Sequence, residues 1–148
     1  MIALVQRVTR SSVRVEGETV AEIGLGLNVL LGVLKGDGEQ DVEKLVNKIP
    51  HLRIFADDAG RMNRSLLDVE GEALVVSQFT LAGDVRKGRR PSFDAAMPPQ
   101  EAKALYERFC ESLAAQGVPV RTGVFGAMME VEILNDGPVT FILDSGEL

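Results

Sequence analysis

Between Leu25 and Leu34 the chain is almost continuously apolar, interrupted only by Gly26, Asn28 and Gly32. The run is far too short to cross a bilayer and lacks the alternation of a strand with one wet face, so it reads as a strand buried on both faces. Such a strand belongs in the interior of a sheet, paired along both edges and covered on both sides, and the rest of the chain must supply that cover. Gly24, Gly26 and Gly32 do not have dinucleotide-binding spacing, because Val29 stands where the third glycine would be needed.

Partners for this strand are legible on either side of it. Ile2, Leu4 and the Val5 to Val8 region, then Val13 and Val15, then Val20 and Ile23 are short β-branched segments, with Ser11-Ser12 and Glu16-Gly17-Glu18 read as turns. Leu52 to Phe55 reads as a short strand, Asp57 to Gly60 as a turn and Asn63 to Leu67 as an irregular connection. Ala73 to Val76 is a further apolar strand, and it runs into Ser77-Gln78-Phe79-Thr80-Leu81, where polar and apolar residues alternate. Glu130 to Leu134 alternates cleanly, Asn135-Asp136-Gly137-Pro138 reads as a turn, and Val139 to Leu143 as the returning strand of a hairpin.

Two segments have helical spacing. Asp37 with Gln40 resembles a capping box, and Val42, Leu45, Val46 and Ile49 follow until Pro50. Pro98-Pro99 opens the second, whose apolar face is Ala102, Leu105, Tyr106, Phe109, Cys110 and Leu113 before Gly117. Many short strands with two helices predict an α+β fold: a largely antiparallel or mixed, barrel-like β body with the helices packed on one side. A length of 148 residues predicts one domain, 1–148.

Composition narrows the function. Ile2 to Val5 are apolar, but Gln6, Arg7 and Arg10 follow too soon for a signal-peptide core, and no run approaches a membrane span, so the expected location is the cytoplasm with no membrane partner. A net charge of −6 argues against coating long stretches of DNA or RNA, an affinity that comes from cations replacing phosphate counterions. Any RNA contact is therefore local, and the cluster Arg86, Lys87, Arg89 and Arg90 around Gly88 is the candidate, against the alternative of a solvated surface loop.

The candidate chemistry is sparse. With one His and one Cys, a zinc site would have to be dominated by carboxylates, so no metal is expected. His51, after a proline at a helix end, reads as structural, and Cys110 as buried packing. Ser77 with His51 is formally a start for a triad, but no glycine-flanked nucleophile elbow surrounds Ser77. Asp and Glu total 22 and no pair is singled out for glycoside chemistry. Ser77 to Thr80 remains: either its hydroxyls bond neighbouring backbone, or Ser77 and Gln78 bind a polar ligand edge, Phe79 offers a stacking face and Thr80 sits at a reacting carbonyl. The Gly137-Pro138 step is likewise either an ordinary turn or a cis bond presenting consecutive carbonyl oxygens in one direction.

Taken in order, Gln6-Arg7-Val8, Leu30 to Val33 before Lys35-Gly36-Asp37, Leu52 to Phe55, Met62-Asn63, Ser77 to Leu81, Arg86 to Phe93 and Asn135 to Thr140 resemble the D-aminoacyl-tRNA deacylases of the bacterial and eukaryotic type over nearly the whole chain. Pro50, Gly83 in place of a commoner Ala, and Met128 in place of a commoner acidic residue depart from the family pattern. The resemblance implies a homodimer in which Gly137-Pro138 is cis and enters the partner's active site beside Ser77 to Thr80. It further implies that Arg7 helps hold the cis turn, and that Phe125 and Met129 lie near a pocket for the terminal adenosine.

The implied reaction is hydrolysis of the ester joining a D-amino acid, and also glycine, to tRNA, with no cofactor. Backbone N–H groups near Phe79 and Thr80 are the expected oxyanion donors and the RNA's own 2′-hydroxyl activates the attack. The carbonyls of Gly137 and Pro138 are expected to exclude an L side chain. Two rival functions are a non-catalytic module gripping an RNA 3′ end with Phe79 and the basic loop, and a small esterase with Thr80 or Ser77 as nucleophile.

Overall fold

In the computed structural model, which describes residues 1–148, the longest early strand, β1 (Ile2–Val15), organises the sheet. Along one edge, Ile2 to Val8 pair antiparallel with β3 (Gly26–Gly32), and Ser11 to Val15 pair with β2 (Glu18–Ile23). The other edge carries β8 (Glu130–Asp144), also antiparallel, for almost its full length. β3 continues in parallel to β6 (Glu72–Ser77), and β6 to β7 (Val120–Thr122). The order β2-β1-β3-β6-β7, with β8 on β1, is a mixed sheet curled into a nearly closed, barrel-like body. A separate ribbon pairs β4 (Phe55–Ala56) with β5 (Met62–Arg64).

Burial follows the strand period of two. Ala3, Val5, Leu27, Val29, Leu31, Ala73 and Val75 face the helices, where α1 (Glu39–Lys48) contributes Val42, Leu45 and Val46 and α2 (Pro99–Ala115) contributes Ala102, Tyr106, Phe109 and Leu113. Val8, Val13, Ala21, Ile23, Leu74 and Val76 form a second cluster on the inner face of the curl. The run that includes β3 is buried on both faces as its composition requires. The fold is thus α+β, with both helices covering one face.

Several local expectations are corrected. Ser11 and Ser12 are not a turn but buried residues within β1, because Ser11 Oγ donates to the Glu132 carbonyl (2.7 Å) and accepts from Asn28 Nδ2 (3.0 Å). The first helix starts one residue later than expected. The Gly38 N–H is capped by Asp41 (2.9 Å), while Asp37 accepts from the Leu34 N–H (2.7 Å) and the Met1 ammonium (2.8 Å). Pro50 does not end the winding at once; Ile49–His51 add a tight turn with Ile49 and Pro50 buried. Leu52 to Ile54 belong to no strand, so only Phe55–Ala56 pair, and their partner Met62–Arg64 overlaps the start of the segment expected to be irregular. β7 carries too few apolar residues to stand out in sequence.

The largest correction concerns the C-terminal third. Glu130 to Asp144 is one strand, not a hairpin. Its two halves run in the same direction along β1, Val8 facing Asn135 and Gln6 facing Thr140, so residues 136–139 are extruded sideways opposite Arg7 without reversing the chain.

Candidate functional site

The polar end of β6 leaves the sheet at Gln78, whose N–H makes the last ladder bond, to the Leu31 carbonyl (2.8 Å). There the backbone breaks strand geometry (φ −141°, ψ 88°) and Phe79–Ala82 wind into a tight turn instead of continuing the alternating strand expected from sequence. Gly32 makes the close approach possible: a Cβ there would lie 2.9 Å from Leu81 Cβ and 3.1 Å from the Gln78 carbonyl oxygen. Within the turn the Leu81 N–H reaches the Gln78 carbonyl (3.3 Å) and the Gly83 N–H reaches that of Thr80 (3.0 Å). The N–H groups of Phe79 and Thr80 have no acceptor in the chain, as the start of a helical turn leaves them.

Around this turn lies a cavity of about 670 Å³. Ser77, Gln78, Phe79 and Thr80 line it together with Phe93, Met97, Phe125 and Met129. Thr80 Oγ1 donates to Gln78 Oε1 (2.7 Å). The Phe79 ring, 56% exposed, meets Phe93 edge-on at 5.1 Å, and Phe125 packs on Tyr106 at 5.7 Å. A mostly apolar cavity with one polar edge suits a flat, partly polar ligand such as a nucleoside.

Gly137, Pro138 and Arg7 do not line that cavity; they meet one another on the β1–β8 seam. The Gly137-Pro138 peptide is cis, and both residues are exposed. Gly137 sits at φ +114°, and a Cβ would fall 2.7 Å from Val139 Cγ2 and 3.1 Å from the Arg7 guanidinium. Arg7 donates to the Ile54 carbonyl (2.8 Å), and its Nε lies 3.0 Å from Asp136 Oδ2 as an ion pair, without hydrogen-bond alignment. Asn135 ties the ends of the excursion together, its Nδ2 donating to the carbonyls of Arg7 and Val139 at 3.0 Å each. Gln6 and Thr140, which carry no separate sequence signal beyond their motifs, both lie within hydrogen-bond reach of Asn135 Oδ1, at 3.0 and 3.1 Å.

The basic loop is an exposed excursion closed by Asp84 and Ser92, which exchange backbone hydrogen bonds of 2.7 and 2.9 Å. Arg86 is occupied: its guanidinium donates to Asp84 at 2.9 and 2.7 Å and, with the Arg86 N–H, holds that carboxyl down to about 2. Lys87, Arg89 and Arg90 have no ion-pair partner and are exposed. His51 lies against Gln116 (3.4 Å) and outside the cavity that holds Ser77, so no triad forms. Burial pushes the Cys110 thiol up to about 12, which suits packing rather than nucleophilic chemistry. No helix is long and apolar enough to cross a membrane.

A family model described as D-Tyr-tRNA(Tyr) deacylase matches residues 4–144. The D-aminoacyl-tRNA deacylase of Persephonella marina is 64% identical over 148 residues, covering 100% of both chains, and that of Aquifex aeolicus is 57% identical with the same coverage. Among solved structures, one named c-Myc DNA Unwinding Element Binding Protein superposes with a TM-score of 0.93 at 46% identity, covering 97% of this chain and 98% of that one. A probable eukaryotic D-amino acid tRNA deacylase superposes at 0.81 with 23% identity, over 96% and 97% of the two chains, a likeness of fold.

Proposed function

Because this chain belongs to the D-Tyr-tRNA(Tyr) deacylase family, we propose specific roles for its residues in the activity that membership carries, hydrolysis of the ester joining a D-amino acid to tRNA. The single domain 1–148 works in the cytoplasm on aminoacyl-tRNA. The terminal adenosine enters the cavity between Phe125 and Met129, Ser77 and Gln78 bind its polar edge, Phe79 offers a face for stacking, and Thr80 lies at the reacting carbonyl. Water attacks the carbonyl carbon, the bond to the ribose oxygen breaks, and tRNA leaves with a free hydroxyl. The observation that carries this reading is the pair of acceptor-free N–H groups of Phe79 and Thr80 at the wall of an apolar cavity. Donors fixed in advance by the tight turn stabilise the developing oxyanion without reorganising.

Esters are reactive enough that orienting water and stabilising charge suffice, so no side-chain nucleophile is needed. The substrate's 2′-hydroxyl activates the attack. Chirality is set by exclusion: the carbonyl oxygens of Gly137 and Pro138, delivered by the partner subunit on a turn that Arg7 helps hold, occupy the space an L side chain would need. Glycine has nothing to exclude and is also released. The homodimer this requires is supported by the apolar residues that β8 leaves exposed, Leu134, Phe141 and Ile142. Lys87, Arg89 and Arg90, with Arg86 when it leaves Asp84, bind phosphates of the acceptor end.

The deciding experiment measures deacylation of D-tyrosyl-, L-tyrosyl- and glycyl-tRNA, each with and without the terminal 2′-hydroxyl. The D and glycyl esters should be cleared, the L ester spared, and all turnover should collapse without the 2′-hydroxyl. Thr80→Ala should retain substantial activity; loss of turnover with tRNA binding intact would make Thr80 the nucleophile instead.

A further inference from the structure

We infer that Gln6 and Thr140 are positioning residues for stereoselection, together directing the single hydroxyl proton of Thr140 onto the carbonyl oxygen of Pro138. The inference rests on the role proposed above for Gly137 and Pro138, and adds what aims their carbonyls. Residues 136–139 are extruded from the β1–β8 ladder, so sheet hydrogen bonds do not orient their peptide groups. Side chains must do so instead.

Thr140 Oγ1 has one proton and two acceptors in range, Asn135 Oδ1 at 3.1 Å and the Pro138 carbonyl at 3.2 Å. Those distances alone do not choose. Asn135 cannot turn its amide around, because its nitrogen is engaged by the carbonyls of Arg7 and Val139. Its oxygen therefore always faces Gln6 and Thr140. Gln6 Nε2 carries two protons and lies 3.0 Å from Asn135 Oδ1 and 3.5 Å from Thr140 Oγ1. With Gln6 supplying the Asn135 oxygen and offering a second donor to the Thr140 hydroxyl, the hydroxyl proton is left for Pro138. Asp136, the charged group within the extruded segment, is engaged by Arg7.

The test compares kcat/KM on L-tyrosyl- and D-tyrosyl-tRNA for the full-length wild type, Thr140→Val, Thr140→Ser, Gln6→Ala and, as a probe of the underlying reading, Gly137→Ala, with thermal unfolding and sedimentation to check each fold and assembly. Thr140→Val keeps the shape and removes the donor, and should raise the L-to-D ratio roughly three- to tenfold, the scale of one missing neutral hydrogen bond. Thr140→Ser should restore the wild-type ratio, and Gln6→Ala should shift it in the same direction by less. A general loss of structure would lower both substrates alike and would not be rescued selectively by serine; that result overturns the inference. If Thr140→Val keeps the wild-type ratio while Gly137→Ala raises it, the inference fails and the role of Gly137 and Pro138 stands. If neither variant moves the ratio, both fall together. Should Thr140→Val not fold, Gln6→Ala decides alone, and a wild-type ratio there overturns the inference.

Discussion

Gly137 occupies a backbone conformation that L side chains rarely adopt, in space that a Cβ would contest with Val139 and Arg7. Gly137→Ala should therefore cost about 1–3 kcal/mol of stability, the usual range for a residue held in such a region, seen as a lower midpoint in denaturant titration. It should also displace Arg7 and loosen rejection of the L ester in the deacylation assay. Cys110 permits a cleaner single-residue test. Burial holds its thiol well above the usual range and keeps it protonated, so labelling by a thiol-disulfide reagent should be slow in the native protein and fast after unfolding. Rapid native labelling would contradict the packing role.

At the scale of elements, the basic loop is partly self-neutralised. Asp84 has a depressed pKa, so its clamp on Arg86 is fully present above the ordinary carboxylate range and is lost as pH falls through about 2. Near neutral pH Arg86 stays engaged and Lys87, Arg89 and Arg90 remain for phosphate. Replacing Arg89 and Arg90 with Ala should flatten the salt dependence of tRNA binding, by roughly 0.7 in the log–log slope for each single-strand phosphate no longer neutralised. Asp84→Asn should steepen it by a similar step, through release of Arg86. An unchanged slope in both variants would make the loop mere surface. β8 shows why such elements are misread locally: Asn-Asp-Gly-Pro has the chemistry of a reversal, yet β1 offers a continuous edge whose register takes up both halves.

For the whole molecule, the two motifs sit apart within one chain, Ser77 to Thr80 on the cavity and Gly137-Pro138 on the β1–β8 seam. The proposed active site needs a second copy to join them. Ile142, 72% exposed on β8, offers a test at this scale. Ile142→Asp should dissociate the proposed homodimer in sedimentation and abolish deacylation in parallel; full activity as a monomer would exclude the shared site. The central buried strand, both helices with their apolar faces, and the exceptional polar end of β6 were all legible in sequence, because each rests on periodicity or on composition within a few residues. The burial of Ser11, the tight turn after Gln78, the pairing of Arg86 with Asp84 and the sideways excursion after Asn135 were decided only by tertiary structure. Each depends on a partner distant in sequence or on a choice among competing local hydrogen bonds, and strand register settles such choices only when the whole sheet assembles.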